Sequence, residues 1–333
     1  MKKEKEQLLK IIDRFAEKTI AVWGDLILDE YLYGTTRRIS REAPVLIISY
    51  RSEELSLGGG GNSLLNLRAL GAAPVPIGVI GKDDAGKRIL KILKQLGVST
   101  EYVLIEKTFQ TPIKTRILAG EESTRKQQVL RIDKEANVPE SADLKKRLLN
   151  SLRKAQHQTD ALLISDYNYF TVKEDIFRKI LPGLKRLNKP VALDSRFRLT
   201  DFKGVTVLTP NEPEVEYALH LELKGDKDMV RKAGRQLLNR IEAEAVLITR
   251  GSKGMVLFER GKPPLVIPIH GSTDIVDVTG AGDTVISIFT LALTCGATFK
   301  QAAQLANYAG GIVVMKKGTA TLSPQELKEA IGS

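Results

Sequence analysis

The 333 residues include one cysteine, Cys295, and three histidines, His157, His220 and His270. A single thiol excludes an internal disulfide, and isolated histidines offer no metal-ligand spacing of the zinc type. Tryptophan occurs once and aromatic residues make up 5% of the chain, so the basic residues lack the stacking platform that single-stranded nucleic acid requires. Long hydrophobic runs are also missing. The longest, Val285 to Ala297, is interrupted by Ser287, Thr290 and Thr294 and is too short to cross a bilayer. The charged amino terminus, Met1 to Lys10, has no apolar segment of signal-peptide length, so export is not indicated and a cytoplasmic location is the expectation. Two nucleotide signatures are absent as well. No G-x-x-x-x-G-K-[ST] occurs, and Gly24-Asp-Leu-Ile-Leu-Asp29 stands where a dinucleotide fold would carry G-x-G-x-x-G. Both a Walker-type ATPase and a Rossmann oxidoreductase are therefore disfavoured.

The remaining composition is that of a globular protein, with 42% hydrophobic and 27% charged residues. Lys and Arg exceed Asp and Glu by 51 to 40, a balance suited to polyanions or to small anionic substrates. The bases are scattered through amphipathic segments such as Lys82 to Lys94 and Lys145 to Lys154, which favours small substrates over nucleic acid. Short β-rich runs alternate with helical periodicity, the pattern of a mostly parallel sheet flanked by helices on both faces. Strands are expected at 19–23, 75–80, 161–165, 191–193, 205–208 and 245–249, and helices at 142–155, 173–187, 229–240 and 301–315. Segments of about 33–56 and 102–133 break the alternation. They are expected to pair as a small antiparallel β layer, a lid over the site, within a single domain spanning residues 1–333.

Chemistry-bearing residues fall at strand ends and helix starts. Asp25, Asp166, Asp194, Asn211 and Thr249 follow or end predicted parallel strands, where ligands of such sheets sit; each alone would also serve as an ordinary turn residue. Asp277-Val-Thr-Gly280-Ala281-Gly282-Asp283-Thr284 runs into an apolar helix. Open N–H groups at a helix start bind anions, and an acid placed there is suited to accept a proton from an attacking hydroxyl. An Asp N-cap explains the same residues without any ligand. Gly58 to Gly61 followed by Asn62 suits close approach to a sugar or a hinge, or simply a turn. Asn211-Glu-Pro-Glu214 opens another helix, where an amide and a carboxylate suit hydrated Mg²⁺ or the helix dipole.

In this order and spacing, the glycine-rich segment with Asn62, Asn211-x-x-Glu214 and Gly280-Ala-Gly-Asp283 resemble the ribokinase-like (PfkB) carbohydrate kinases over nearly the whole chain. Within that family, Gly24-Asp25 to Tyr31, Arg38-Ile-Ser-Arg-Glu-Ala-Pro44-Val and Ser165-Asp166-Tyr167 are most similar to the kinases of D-glycero-β-D-manno-heptose 7-phosphate. The resemblance implies ATP and Mg²⁺, with Asp283 as catalytic base and the amides of Gly280, Ala281 and Gly282 as anion hole. It implies Asn211 and Glu214 near Mg²⁺, Thr249 and Gly251 at the nucleotide phosphates, Asn307 beside the purine, and Asp277 at a K⁺ loop. Asp25, Gly59, Gly60 and Asn62 match sugar-binding positions. Lys114, Arg116, Arg131 and Arg196 are candidates for an acceptor phosphate. The implied reaction phosphorylates the anomeric hydroxyl on the route to ADP-heptose, with a homodimer formed through the lid. Another PfkB sugar kinase, or a noncatalytic sugar regulator on the same fold, is the alternative.

The chain departs from the heptose-kinase pattern at Asp166-Tyr167-Asn168-Tyr169-Phe170, which lacks a following Lys-Gly, at Gly60-Gly61 for Ala-Ala, and at Asp194-Ser-Arg196 for Asp-Pro-Lys. It ends at Ser333, so the nucleotidyltransferase fused to some such kinases is expected as a separate enzyme.

Overall fold

Along Thr19–Gly24, Ile20 and Val22 enter one apolar cluster while Ala21 and Trp23 enter another, which buries the strand on both faces. The computed structural model describes residues 2–40, 42–120, 126–271 and 276–332. Arg41 of the Arg38–Val45 motif and residues 121–125 of the second lid segment lie outside the described residues.

The strands are β1 (Thr19–Gly24), β2 (Leu26–Ile39), β3 (Leu46–Gly59), β4 (Ala73–Gly81), β5 (Val103–Glu106), β6 (Ile113–Gly120) and β7 (Gln127–Lys134). They continue with β8 (Ala161–Asp166), β9 (Val191–Ser195), β10 (Val207–Leu208), β11 (Ala245–Thr249), β12 (Met255–Glu259) and β13 (Leu265–Ile267). Among the described residues, nine form one sheet in the order β13-β12-β11-β10-β9-β8-β1-β4-β5. It is parallel from β5 through β11, with β12 and β13 added antiparallel. Because β1 lies between β4 and β8, the connections diverge at its carboxyl end, the place where open α/β sheets leave a crevice. No helix of the described residues is long and apolar enough to cross a membrane.

The second sheet has the order β3-β2-β6-β7, with antiparallel pairs at each edge and a parallel β2–β6 pair between them. Its boundaries differ from those expected. The ladder of β2 and β3 begins at Leu26↔Gly59, because the apolar run after Gly24 turns away from the large sheet instead of continuing it. Val103–Glu106, placed in the lid by its position, pairs with β4. The helix Gly60–Ala69 follows β3 directly; four glycines of poor helix propensity conceal its start in the sequence.

Asp25 connects the two sheets. Its buried carboxylate accepts the N–H groups of Tyr167 and Tyr169 on Oδ2, at 2.8 and 3.1 Å, and that of Thr171 on Oδ1, at 3.1 Å. Asn168 and Phe170 between them have φ of 68° and 65°. Left-handed backbone at every second residue turns the N–H groups of Tyr167, Tyr169 and Thr171 to one side, a concavity suited to an anion. One strand further, Arg198 and Ser195 hold the buried Asp166 carboxylate, Ser195 Oγ at 2.6 Å. Replacing Asp25 by Ala leaves three inward N–H groups without an acceptor, each worth about 1–3 kcal/mol. Urea unfolding should therefore show a loss of several kcal/mol for Asp25→Ala and a smaller one for Asp25→Asn.

Candidate active site

The helix Ala281–Thr294 begins after Gly280, whose φ of 78° lies in the left-handed region that glycine enters without steric penalty. Asp283, in its first turn, is 4% exposed. Three neutral donors from two other segments converge on its carboxylate. Asn62 Nδ2 donates to Oδ2 at 2.8 Å, Ser63 Oγ donates to Oδ1 at 3.4 Å, and the Tyr167 hydroxyl is shared between Oδ2 at 3.1 Å and Oδ1 at 3.3 Å. Burial raises the Asp283 carboxyl to about 6, against the lowering effect of the bonds from Asn62 and Tyr167. A carboxylate in that range suits proton abstraction near neutral pH.

Asn62 is itself held. Asn66 Nδ2 donates to its carbonyl at 2.9 Å, and Thr284 Oγ1 donates to Asn66 Oδ1 at 2.8 Å. A Cβ on Gly280 would stand 2.3 Å from Asn62 Nδ2, so any side chain there would push the amide from Asp283. At the helix start the Ala281 N–H donates to Val278 O at 3.2 Å, while no described group accepts from Gly280 or Gly282. Open space lies over Gly282, where a Cβ would meet nothing within 4 Å. Of the three expected anion-hole amides, two are thus left to a ligand.

On one side of Asp283 is a cavity of about 60 Å³ bordered by the second sheet. The register pairs Asp29 with Lys114 and Tyr31 with Arg116, and opposite them Lys114 with Asp133 and Arg116 with Arg131. Residues directly opposite in a sheet share a face, so these charges point together. Lys114, Arg116, Arg131 and Arg196 line this cavity with Asp29, Gly59 and Asn62. Arg116 pairs with Asp29 at 2.9 Å, and Asp133 takes Arg131 at 2.9 Å and Lys114 at 3.5 Å. Arg196 has no carboxylate within ion-pair distance among the described residues and lies 4.4 Å from the Tyr167 ring centroid. Burial pushes Asp29 up, opposed by the Arg116 charge.

On the other side is a cavity of about 350 Å³ that Asp194, Thr209, Asn211, Glu214, Thr249, Gly280 and Gly282 help to line. The larger of the two falls in the range of small-molecule sites. Asn211 and Glu214 form a reciprocal helix cap, each side chain accepting the other's N–H at 2.9 Å. Thr249 N–H donates to Pro210 O at 2.9 Å, and Arg250 Nε donates to Glu212 Oε1 at 2.6 Å, which ties this helix to the end of β11. Burial raises Asp194 well above the usual carboxylate range, and the charges of Glu214 and Asp283 raise it further; Glu214 is raised too, by burial. Acids that repel one another across a cavity fit a divalent cation. Among the described residues no three His, Cys, Asp or Glu side chains are grouped to hold a bare ion. Mg²⁺ keeps water and phosphate ligands and needs one or two carboxylates; Asp194 and Glu214 line this cavity.

Not every sequence candidate reaches the site. Asp25 and Asp166 turn inward as braces rather than to the rim, because each meets backbone N–H or guanidinium donors before solvent. Gly60 lines neither cavity, its N–H donating to Asp25 O at 2.9 Å. Gly251 opens a turn at φ 53° beside Thr249. Asn307 donates to Pro268 O at 2.9 Å and borders neither cavity. Asp277 accepts the N–H groups of Thr279 at 2.9 Å and Gly318 at 3.0 Å. Burial alone would raise its carboxyl, but these bonds hold it below the usual range. Residues the sequence reading did not single out as site residues are Asp29, Asn66 and Tyr167. Asp29 had a signal, an acid at the end of the apolar run Leu26-Ile-Leu; Tyr167 stood in the Ser165-Asp166-Tyr167 motif, which assigned it no role of its own.

Residues 17–326 match the pfkB family carbohydrate kinase. The chain is 36% identical over 331 residues to the Bifunctional protein HldE of Pelobacter propionicus, covering 98% of this chain and 66% of that protein. It is 38% identical over 312 residues to the Bifunctional protein HldE of Geobacter metallireducens, covering 93% and 62%. The chain thus spans just under two thirds of the length of these curated relatives. Arabidopsis thaliana ribokinase complexed with ribose and ATP superposes with a TM-score of 0.70 at 20% identity, over 95% of this chain and 99% of its own. Escherichia coli phosphofructokinase-2 in complex with fructose-6-phosphate gives 0.73 at 17% identity, over 95% and 98%. These structures share the mostly parallel sheet and its flanking helices. With a family match over nearly its whole length, the chain belongs to the pfkB family of carbohydrate kinases.

Proposed function

We propose that this kinase transfers the γ-phosphoryl group of ATP to a sugar that already carries a phosphate, with D-glycero-β-D-manno-heptose 7-phosphate as acceptor and its anomeric hydroxyl as nucleophile. One observation carries the reading: the cavity containing Asp283 also collects Lys114, Arg116, Arg131 and Arg196, four cations against the carboxylates of Asp29, Asp283 and Asp133, the last paired with Lys114 and Arg131. A neutral sugar needs hydrogen-bonding partners, whereas a phosphate dianion needs this surplus of cations, and guanidinium groups bind it through paired donors. The likeness to proteins called Bifunctional protein HldE supports the same reading for the span covered.

In this reading Asp29 and Asn62 bind acceptor hydroxyls, and Asp283 takes the proton of the attacking one. Oxygen then bonds to the γ-phosphorus in line as its bond to the bridging oxygen breaks and ADP leaves. The N–H groups of Gly280 and Gly282 stabilise the charge on the phosphoryl oxygens. Mg²⁺, held through water by Glu214 and Asn211, would neutralise the nucleotide phosphates. Thr249 and Gly251 border those phosphates, and Asn307 acts on the purine side by fixing the backbone at Pro268. A K⁺ ion would be placed by the loop that Asp277 ties to Gly318; Escherichia coli phosphofructokinase-2 has been solved in complex with potassium. The second sheet serves as the lid and as a homodimer contact, since Leu46, Tyr50, Leu130 and Ile132 are at least 45% exposed on it.

Four measurements test this reading. In a coupled ADP-release assay across sugars and sugar phosphates, the heptose phosphate should give the highest kcat/KM. Arg131→Gln and Arg196→Gln should each raise its KM about ten-fold, the order expected from a lost charge-assisted hydrogen bond; activity with unphosphorylated sugars alone would remove the phosphate and keep the kinase. Asp283→Asn should lower kcat by roughly 10²- to 10⁴-fold with little change in the KM for ATP, and parental turnover would refute the base. The same variant has a stability signature. A folded carboxyl at about 6 against about 3.9 unfolded means that the folded state binds the proton more tightly, so the parent loses stability as pH rises from about 4 to 6. Melting curves should show the Asn variant gaining on the parent across that window and levelling above it. By light scattering, Leu130→Glu with Ile132→Glu should convert a dimer to monomers; an unchanged mass would place the contact elsewhere.

A further inference from the structure

We propose that Tyr167 is a positioning residue that couples recognition of the acceptor's phosphate to the catalytic base, its ring supporting Arg196 and its hydroxyl orienting the Asp283 carboxylate. This rests on the reading of Asp283 as base and of the cation cluster as a phosphate site.

The geometry joins two groups that the reaction must keep in register. The Tyr167 hydroxyl lies 3.1 and 3.3 Å from the two oxygens of Asp283, and the Arg196 guanidinium lies 4.4 Å from its ring centroid, within cation–π range. No other described side chain links the base to a cation of the cavity in this way. The next tyrosine of the loop repeats half the arrangement, with Lys114 Nζ 6.0 Å from the Tyr169 ring. The loop thus backs two of the cavity's cations with aromatic faces.

The loop is also built to stay in place. Left-handed backbone at Asn168 and, more expensively, at Phe170 persists only where the surroundings impose it. The imposing group is Asp25, which holds the N–H groups on either side of both residues. Strain and a buried carboxylate are thus spent on fixing a segment whose first side chain touches the base.

Tyr167 is not itself the base. Burial, and then the Asp283 charge, raise its phenol well above the ordinary value, so it stays neutral and donates. Its bond stabilises the ionised carboxylate together with Asn62 and Arg196, against the charge of Asp29; the charges of Asp194 and Glu214 face the same space. Removing the hydroxyl therefore moves the titration of Asp283 upward.

The test compares Tyr167→Phe, which keeps the ring, with Tyr167→Leu, which removes it. With heptose 7-phosphate and ATP, Tyr167→Phe should lower kcat about ten-fold, leave the acceptor KM within about two-fold, and shift the acid limb of the kcat/KM profile to higher pH. Tyr167→Leu should add a rise of about ten-fold in acceptor KM. As a readout independent of turnover, inorganic phosphate should raise the melting temperature of the parent and of Tyr167→Phe alike, and that of Tyr167→Leu less. A parental acid limb in Tyr167→Phe overturns the proposal whatever happens to kcat, as does equal phosphate protection of both variants. If those results come with an inactive Asp283→Asn, only the coupling fails; an active Asp283→Asn removes the base on which it stands.

Discussion

The site depends on a buried carboxylate that is held by neutral donors. An arginine or lysine against Asp283 would hold it just as firmly, but it would lower the carboxyl and weaken its hold on a proton. Asn62, Ser63 and Tyr167 fix the group without cancelling its charge, so burial can raise it to about 6. The cost falls on the neighbours. Gly280 must lack a side chain for Asn62 to reach, and Asn66 with Thr284 must hold the helix that carries Asn62.

Charge around this centre is paired rather than one-sided. Lys114 and Asp29 border the cavity beside the second sheet and Asp194 and Glu214 the other, while Arg116, Arg131, Arg196 and Asp283 border both. The two-residue period of β2, β6 and β7 places Asp29, Lys114, Arg116, Arg131 and Asp133 on one face. The same period turns Leu130 and Ile132 the other way. The chain's overall positive balance therefore says little about the site, where local pairing decides what each base is free to do. Arg116 is paired with Asp29, while Arg196 rests on the aromatic face of Tyr167.

Much of the architecture was legible in order. The strands at 19–24, 161–166 and 245–249 and the helices at 142–158 and 227–241 agree with the expected ranges within a few residues, because buried apolar runs and 3.6-residue periodicity are local properties. Boundaries failed where locality did. Gly58 to Gly61 look like a hinge yet pass straight from strand to helix, because pairing with β2 on one side and packing on the other overrule glycine's weak propensity. The β5 strand looks like lid until its pairing with β4 is seen.

Among candidate site residues, the acids at strand ends divided into two groups that no spacing separates. Asp194 faces a cavity, whereas Asp25 and Asp166 face inward to donors contributed by residues more than a hundred and some thirty positions away, respectively. The amino-acid order alone determined the elements, the glycine-rich helix start and the presence of an acid within its first turn. Tertiary structure alone decided which carboxylates brace and which line a cavity, that Asp29 rather than Asp25 borders the cavity beside the second sheet, and that Tyr167 meets Asp283. The reason is physical: a carboxylate's behaviour is set by the donors and burial around it, and those are supplied by chain segments whose proximity exists only after the sheet has formed.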